Sequence, residues 1–178
     1  MKISEKEPDF IKGLFDSGRA TADLAVEAIE NNPQRFRNLI DLSFTQPYPI
    51  GMRTARVVQL YCEKNPEFII PYLDEIIEKI ATNKIDGVNR SYLKVIDDCT
   101  GPEVLSEPGP LVQLCFDWLL SPKEAVSIRY HCLGILYKLS IKIPELKPEL
   151  RSVLEFISEE SSTSKGLLNT CRKILQRI

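Results

Sequence analysis

Residues 110–139 read PLVQLCFDWLLSPKEAVSIRYHCLGILYKL. Leu111, Leu114, Cys115, Trp118 and Leu119 recur three and four residues apart, which puts them on one side of a helix, with Gln113 and Asp117 elsewhere. Ser121-Pro122 ends that helix, because proline lacks the N–H that would continue it and pushes the residue before it out of helical geometry. A second helix is expected from near Glu124, an acid favoured at the positive end of the helix dipole, carrying Val126, Cys132, Ile135, Leu136 and Leu139 inward. Two helices joined by so short a turn form an antiparallel hairpin. One hairpin cannot bury both its faces, so it needs neighbours.

The neighbours emerge when the unit is slid along the chain. Arg129 has counterparts at Arg53 in IGMRTARVVQLY, at Arg90 in DGVNRSYLKVI and at Lys165 in STSKGLLNTCRKIL, at intervals of 37, 39 and 36 residues. In the last three units the apolar pairs Leu93 and Ile96, Cys132 and Ile135, Leu168 and Cys171 stand three and six residues after the cation. The unit of Arg53 fits less well, since Val57, Leu60 and Tyr61 imply a slip of one residue.

A helical pair of about 37 residues with a basic residue early in its second helix resembles a HEAT repeat of the armadillo-type class. Asp86-Gly87-Val88-Asn89-Arg90 is similar to the HEAT pattern of an Asp shortly before Val and Arg. Ile69-Ile70-Pro71-Tyr72-Leu73 resembles the proline-kinked first helix. Cys115-Phe116-Asp117-Trp118-Leu119-Leu120-Ser121-Pro122 resembles a segment of small bacterial HEAT proteins, a resemblance that implies no particular activity. The resemblance covers about residues 33–178.

The rest of the chain fits a stack of such units. Phe10, Ile11, Leu14 and Phe15 make a short apolar stripe, and Thr21 is expected to cap a helix carrying Leu24, Ala25, Ala28 and Ile29; together they read as a terminal hairpin that shields the end of the stack. Asn31-Asn32-Pro33 breaks the chain before a helix with Phe36, Leu39, Ile40 and Phe44. Phe68, Ile69, Tyr72, Leu73, Ile76, Ile77 and Ile80 form one broad stripe. CTGPEVLSEPGP at 99–110 reads as a loop between units. The expected fold is all-α, a right-handed α-α superhelix of about ten helices in five antiparallel hairpins. It forms a single domain over 1–178, with a cap at 1–32 and repeats at 33–65, 66–107, 108–143 and 144–178.

With 43% apolar and 27% charged residues among 178, the chain is of ordinary globular composition. A formal charge of −2 is weakly wrong for gripping phosphates and disfavours a nucleic-acid partner. No window nears the roughly eighteen uninterrupted apolar residues of a membrane helix, and MKISEKEPDF has no apolar run behind its charges. The five cysteines, an odd number set mostly in apolar stripes, suit a reducing compartment, and the cytoplasm is the expected location. In that compartment the acceptor pattern Asn89-Arg90-Ser91 carries no glycosylation meaning.

Candidate chemistry is sparse. Arg53, Arg90, Arg129 and Lys165 would line up as a basic ladder on stacked second helices, facing an acidic partner segment or a phosphate backbone. The competing reading, implied by the HEAT resemblance, is that this cation bonds a neighbouring turn and serves the fold. The cations Lys165, Arg172, Lys173 and Arg177 also suit a helix C-terminus through its dipole. His131 and Cys132 are adjacent, about 100° apart, so they do not converge on a metal; neither a C-x-x-C nor an H-x-x-x-H spacing occurs. A Cys115–His131 nucleophile pair has only hairpin proximity behind it. Asp117-Trp118 invites a comparison with HEAT-like alkylpurine DNA glycosylases, whose activity is associated with aromatic and acidic residues on a basic concave surface; a core place for Trp118 is the plainer reading. No Gly-rich phosphate loop is present. The expectation is a non-enzymatic protein-binding or scaffolding module without cofactor or metal, or one that assembles with its own copies. DNA binding or glycosylase-like chemistry is the alternative.

Overall fold

The protein is described by a computed structural model covering residues 18–160 and 163–178. These residues form nine α-helices and no strand: α1 (Arg19–Glu27), α2 (Pro33–Thr45), α3 (Ile50–Cys62), α4 (Leu73–Thr82), α5 (Asp86–Lys94), α6 (Gly109–Leu120), α7 (Val126–Lys142), α8 (Lys147–Glu159) and α9 (Lys165–Leu175). The expected apolar stripe of Phe10 to Phe15 lies outside the described residues. Pairs α2/α3, α4/α5, α6/α7 and α8/α9 pack as hairpins, and the second helices α1, α3, α5, α7 and α9 pack on one another in chain order. The fold is an all-α stack of the solenoid kind.

Local chemistry sets the helix ends. Asn32 accepts hydrogen bonds from Gln34 N at 2.9 Å and Arg35 N at 3.2 Å, and Pro33 follows where its missing N–H costs nothing. Ser164 caps α9 through Leu167 N at 3.4 Å. Thr21, expected as a cap, instead lies inside α1, which starts after Gly18. The stripe from Phe68 to Ile80 is not one helix: two 3-10 turns, Pro66–Phe68 and Ile70–Tyr72, precede α4, because Pro66 and Pro71 cannot donate to an α ladder. Ile69, Leu73, Ile76, Ile77 and Ile80 are nonetheless buried. Beyond Lys94, α5 widens into a π turn over Val95–Thr100, and Gly101 ends it with φ of 74°, a left-handed conformation suited to glycine.

The core is continuous across the stack. Phe36 on α2 lies 5.3 Å from the Tyr61 ring and 5.7 Å from Phe68. Tyr92 on α5 is buried, stacked on Phe44 at 5.0 Å and hydrogen-bonded to Ser43 Oγ at 2.6 Å, so its polar tip is satisfied inside the core. In the 110–139 hairpin, Leu111, Cys115 and Leu119 are buried, while Leu114 and Trp118 are half-buried against the core. Phe116 is buried as well. Val126, expected inward, is exposed because it begins α7 at the open side of the turn.

The first helices α2 and α4 are tied by charge. Arg37 donates to Asp41 at 3.0 Å and to Glu75 at 2.8 Å, and Lys79 reaches Glu75 at 2.6 Å. Arg37 and Lys79 also sit over the rings of Tyr72 and Phe44, at 5.2 and 5.3 Å. Hydrogen bonds from Arg37 and Lys79 hold the Glu75 carboxyl down at about 2.

Two expectations follow. A Cβ on Gly51 would lie 2.6 Å from Gln46 O and 2.8 Å from Ser43 O, both main-chain atoms, so α3 approaches the end of α2 only because residue 51 has no side chain. Gly51→Ala should lower stability by about 1–3 kcal/mol in urea unfolding. Glu75 has a depressed folded pKa, so its contribution is complete above the unfolded glutamate value of about 4.3 and is lost as pH falls toward its folded value. With 35% of its side chain in water, solvent screening limits Glu75→Gln to a loss of roughly 0.5–1 kcal/mol near neutrality. That difference from wild type should shrink steadily in unfolding series run from about pH 5 to about pH 2.

Candidate functional site

Counted from the first residue of each second helix, Arg53 and Arg129 are both fourth, in α3 and α7. Arg90 is fifth in α5, where the fourth is Asn89, and Lys165 is first in α9, where the fourth is Leu168. The four cations therefore do not form one ladder. The slip expected at the unit of Arg53 is visible in the burial: Val57 and Leu60, four and seven residues after Arg53, are buried, whereas Leu93, Ile96, Cys132 and Ile135 are buried three and six after Arg90 and Arg129.

In α5 and α7 the fourth position points inward. Arg129 is buried, with only 5% of its surface exposed; its Nε donates to Leu119 O at 2.9 Å and its Nη2 meets Glu160 at 3.4 Å. Glu160 in turn accepts from Thr163 Oγ1 at 3.1 Å. The side chain thus ties the end of α6 to the connection between α8 and α9. Asn89 does the same at smaller scale, donating to Asn83 O at 3.2 Å and accepting from Asn83 Nδ2 at 2.7 Å. Its burial also closes the Asn89-Arg90-Ser91 pattern to any modifying group. Arg53 is half-buried, and Lys165 is exposed at the start of α9.

In α5 and α7 the fifth position points outward, whereas in α3 it is the buried Thr54. Arg90 is exposed and makes no hydrogen bond or ion pair among the described residues, and Tyr130, at the same helix position one unit later, is 48% exposed. Arg56 on α3 is likewise exposed and without such a partner among the described residues. Further along, Lys94 bridges to Glu63 at 3.2 Å, and Ile141 is 61% exposed beside Lys138 and Lys142. Exposed residues of α3, α5 and α7 therefore include arginine, tyrosine and isoleucine, and an ion pair joins Lys94 of α5 to Glu63 just past the end of α3.

Sequence reading missed Asp97. It is 95% buried in the π turn that ends α5, its Oδ2 lies 2.9 Å from His131 Nδ1, and its Oδ1 accepts from Lys138 at 2.7 Å; Lys138 also bonds its main-chain oxygen. A Cβ on Gly134 would fall 2.6 Å from this carboxylate, so the glycine makes room for it. The available signal was an acid four residues after Leu93, on an apolar stripe, needing a partner about one unit later.

The remaining candidates do not converge. Asp117 is exposed and accepts from Gln113 Nε2 at 3.0 Å, whereas Trp118 packs against the core. Adjacent on α6, they share no surface of the kind a glycosylase would need. The thiols are free, and burial pushes Cys62, Cys115, Cys99 and Cys171 upward, away from the thiolate form. His131 faces Asp97 rather than Cys132 or Cys115. No described helix is long and apolar enough to cross a membrane.

A protein-family profile described as a HEAT repeat domain matches residues 16–178. Neither a curated protein nor a solved structure matches the chain.

The inward and outward positions should respond oppositely to substitution. Arg129→Met leaves the Leu119 carbonyl and Glu160 without their donor and should cost about 1–3 kcal/mol of stability. Arg90→Glu should stay within about 0.5 kcal/mol of wild type. Chemical unfolding of the two variants beside wild type checks both.

Proposed function

The chain belongs to the HEAT repeat domain family, and from that premise we propose that it is a non-enzymatic recognition or scaffolding module whose partner is another protein. Stacked helical repeats act through extended surfaces rather than enclosed pockets, and the stacked second helices are such a surface here. The proposal treats residues 1–178 as a single cytoplasmic domain, with a cap over 1–32 and repeats at 33–65, 66–107, 108–143 and 144–178. It assigns no cofactor.

One contrast supports the reading. On the first helices, Arg37, Asp41, Glu75 and Lys79 satisfy one another. On the second helices, Arg56 and Arg90 are exposed without ion-pair partners among the described residues, and the exposed Tyr130 holds in α7 the helix position that Arg90 holds in α5. Arginine and tyrosine are the residue types that dominate protein interfaces, because they combine large contact area with directed hydrogen bonds. The proposed contact set is Arg56, Arg90 and Tyr130, with Arg53 and Lys165 at its margins. Arg129 leaves the set because its guanidinium is inside.

The test compares wild type with Arg56→Glu, Arg90→Glu, Tyr130→Ala in affinity capture from a nuclease-treated lysate of the source cell. Circular dichroism must first show the variant folded. The expected result is a defined protein held by wild type, whose affinity for the purified variant is at least about tenfold weaker, in line with loss of a central arginine or tyrosine. A variant that binds the same protein equally well removes the proposed surface. Binding of wild type to duplex DNA with steep salt dependence, and to no protein, replaces the reading with a nucleic-acid one. A stable oligomer of the chain that buries these residues points to self-assembly.

A further inference from the structure

Asp97, Asp98 and His131 each present one ligand-type atom, and these atoms all lie within 4.8 Å of one another. We propose that the three form a binding site for a borderline divalent transition ion of the zinc class. Each aspartate supplies one carboxylate oxygen, and His131 supplies an imidazole nitrogen.

The spacing suits such an ion. Ligands about 2.0–2.2 Å from a tetrahedral zinc stand roughly 3.3–3.6 Å from one another. Asp97 Oδ2 and His131 Nδ1 are already 2.9 Å apart, so a cation there replaces the bridging proton with little movement. The Asp98 carboxylate, half exposed, closes in from the solvent side. Among the described residues its paired cation is Lys94, 4.0 Å away, a loose contact that a metal ion displaces easily.

The donor set chooses the metal class. One imidazole and two carboxylates are too few and too nitrogen-rich for calcium, which takes six to eight oxygens, whereas zinc accepts nitrogen and oxygen together. Three protein ligands leave a fourth position to water, on the exposed Asp98 side. The same turn ends in Thr100, whose Oγ1 is buried without a hydrogen-bond partner among the described residues.

Lys138 does not occupy the proposed ligand atom. It bonds Asp97 Oδ1 and the main-chain oxygen, which leaves Oδ2 turned to His131. Its ammonium opposes a second cation, so it tunes the site toward weak binding while its hydrogen bonds hold the carboxylate in place. Because the ligands come from the π turn of α5 and from α7, occupancy would fasten two successive units together.

The experiment uses the full chain stripped with a chelator, titrated with Zn(II) by calorimetry and with Co(II) by visible absorption, with thermal unfolding followed in parallel. One equivalent should bind, with d–d bands of nitrogen and oxygen ligation and a Tm that rises with metal concentration. Asp98→Asn, at an exposed position that leaves the fold intact, should weaken binding at least about tenfold, and His131→Asn should abolish it. Lys138→Met should tighten it. The proposal fails if wild type takes up no Zn(II) or Co(II). It fails equally if Asp98→Asn binds as wild type does, or if Co(II) shows thiolate charge-transfer bands, which would put the ion on cysteine instead.

Discussion

Nine of the 17 residues of helix α7 are buried, three of them polar, and the neighbouring units are arranged around that constraint. Ile128, Cys132, Leu133, Ile135, Leu136 and Leu139 are buried, but so are Arg129, His131 and Ser140. Each polar group inside must meet a partner, because an unpaired buried donor or charge costs more than most contacts return. Arg129 meets Leu119 O and Glu160, His131 meets Asp97, and Ser140 bonds back to Tyr137 O at 2.8 Å. Apart from Tyr137 of α7 itself, these partners come from α6, from the turn after α8 and from the end of α5. Apolar surface drives the stacking without direction, and the polar ties of α7 decide which turn of each neighbour lies opposite which residue.

The same logic explains the irregular end of α5. A regular helix through Val95–Thr100 would carry Asp97 round with its apolar neighbours in a fixed order; the π turn changes that order locally, and such turns often accompany sites with special demands. Gly134 accommodates the result, since any Cβ there would collide with the carboxylate. A buried acid, a histidine, a lysine and a missing side chain on two different helices form one arrangement, and none of the four is intelligible alone. Breaking one member would strand the others, which is why a buried ion pair is weak as a source of stability but strict as a specifier of geometry.

The hairpin at 110–139 was legible in the sequence because burial on one side of a helix leaves a periodic trace, and Leu111, Cys115, Leu119, Cys132, Ile135, Leu136 and Leu139 carry it. The prolines at 66 and 71 were visible too, yet their effect was not: an apolar stripe runs through the 3-10 turns and α4 alike, so periodicity alone could not separate them. Exposed positions left no trace at all. Asp97 left a weak one, an acid in an apolar stripe, which gains meaning only when the residues about one unit later are known to lie against it.

Register was the harder matter, and it bears directly on the candidate site. The second helices α3, α5, α7 and α9 start at Ile50, Asp86, Val126 and Lys165, at steps of 36, 40 and 39 residues, while Arg53, Arg90, Arg129 and Lys165 stand 37, 39 and 36 apart. One residue along a helix is a rotation of about 100°. That rotation separates Asn89, buried and bonded to Asn83, from Arg90, exposed beside the solvent-facing row of Tyr130. In α5 and α7 the fourth position, Asn89 or Arg129, belongs to the interior of the stack, and the fifth, Arg90 or Tyr130, belongs to whatever the stack meets. The division between fold and recognition in this chain is therefore drawn by single-residue phase, a quantity that composition and average period do not contain.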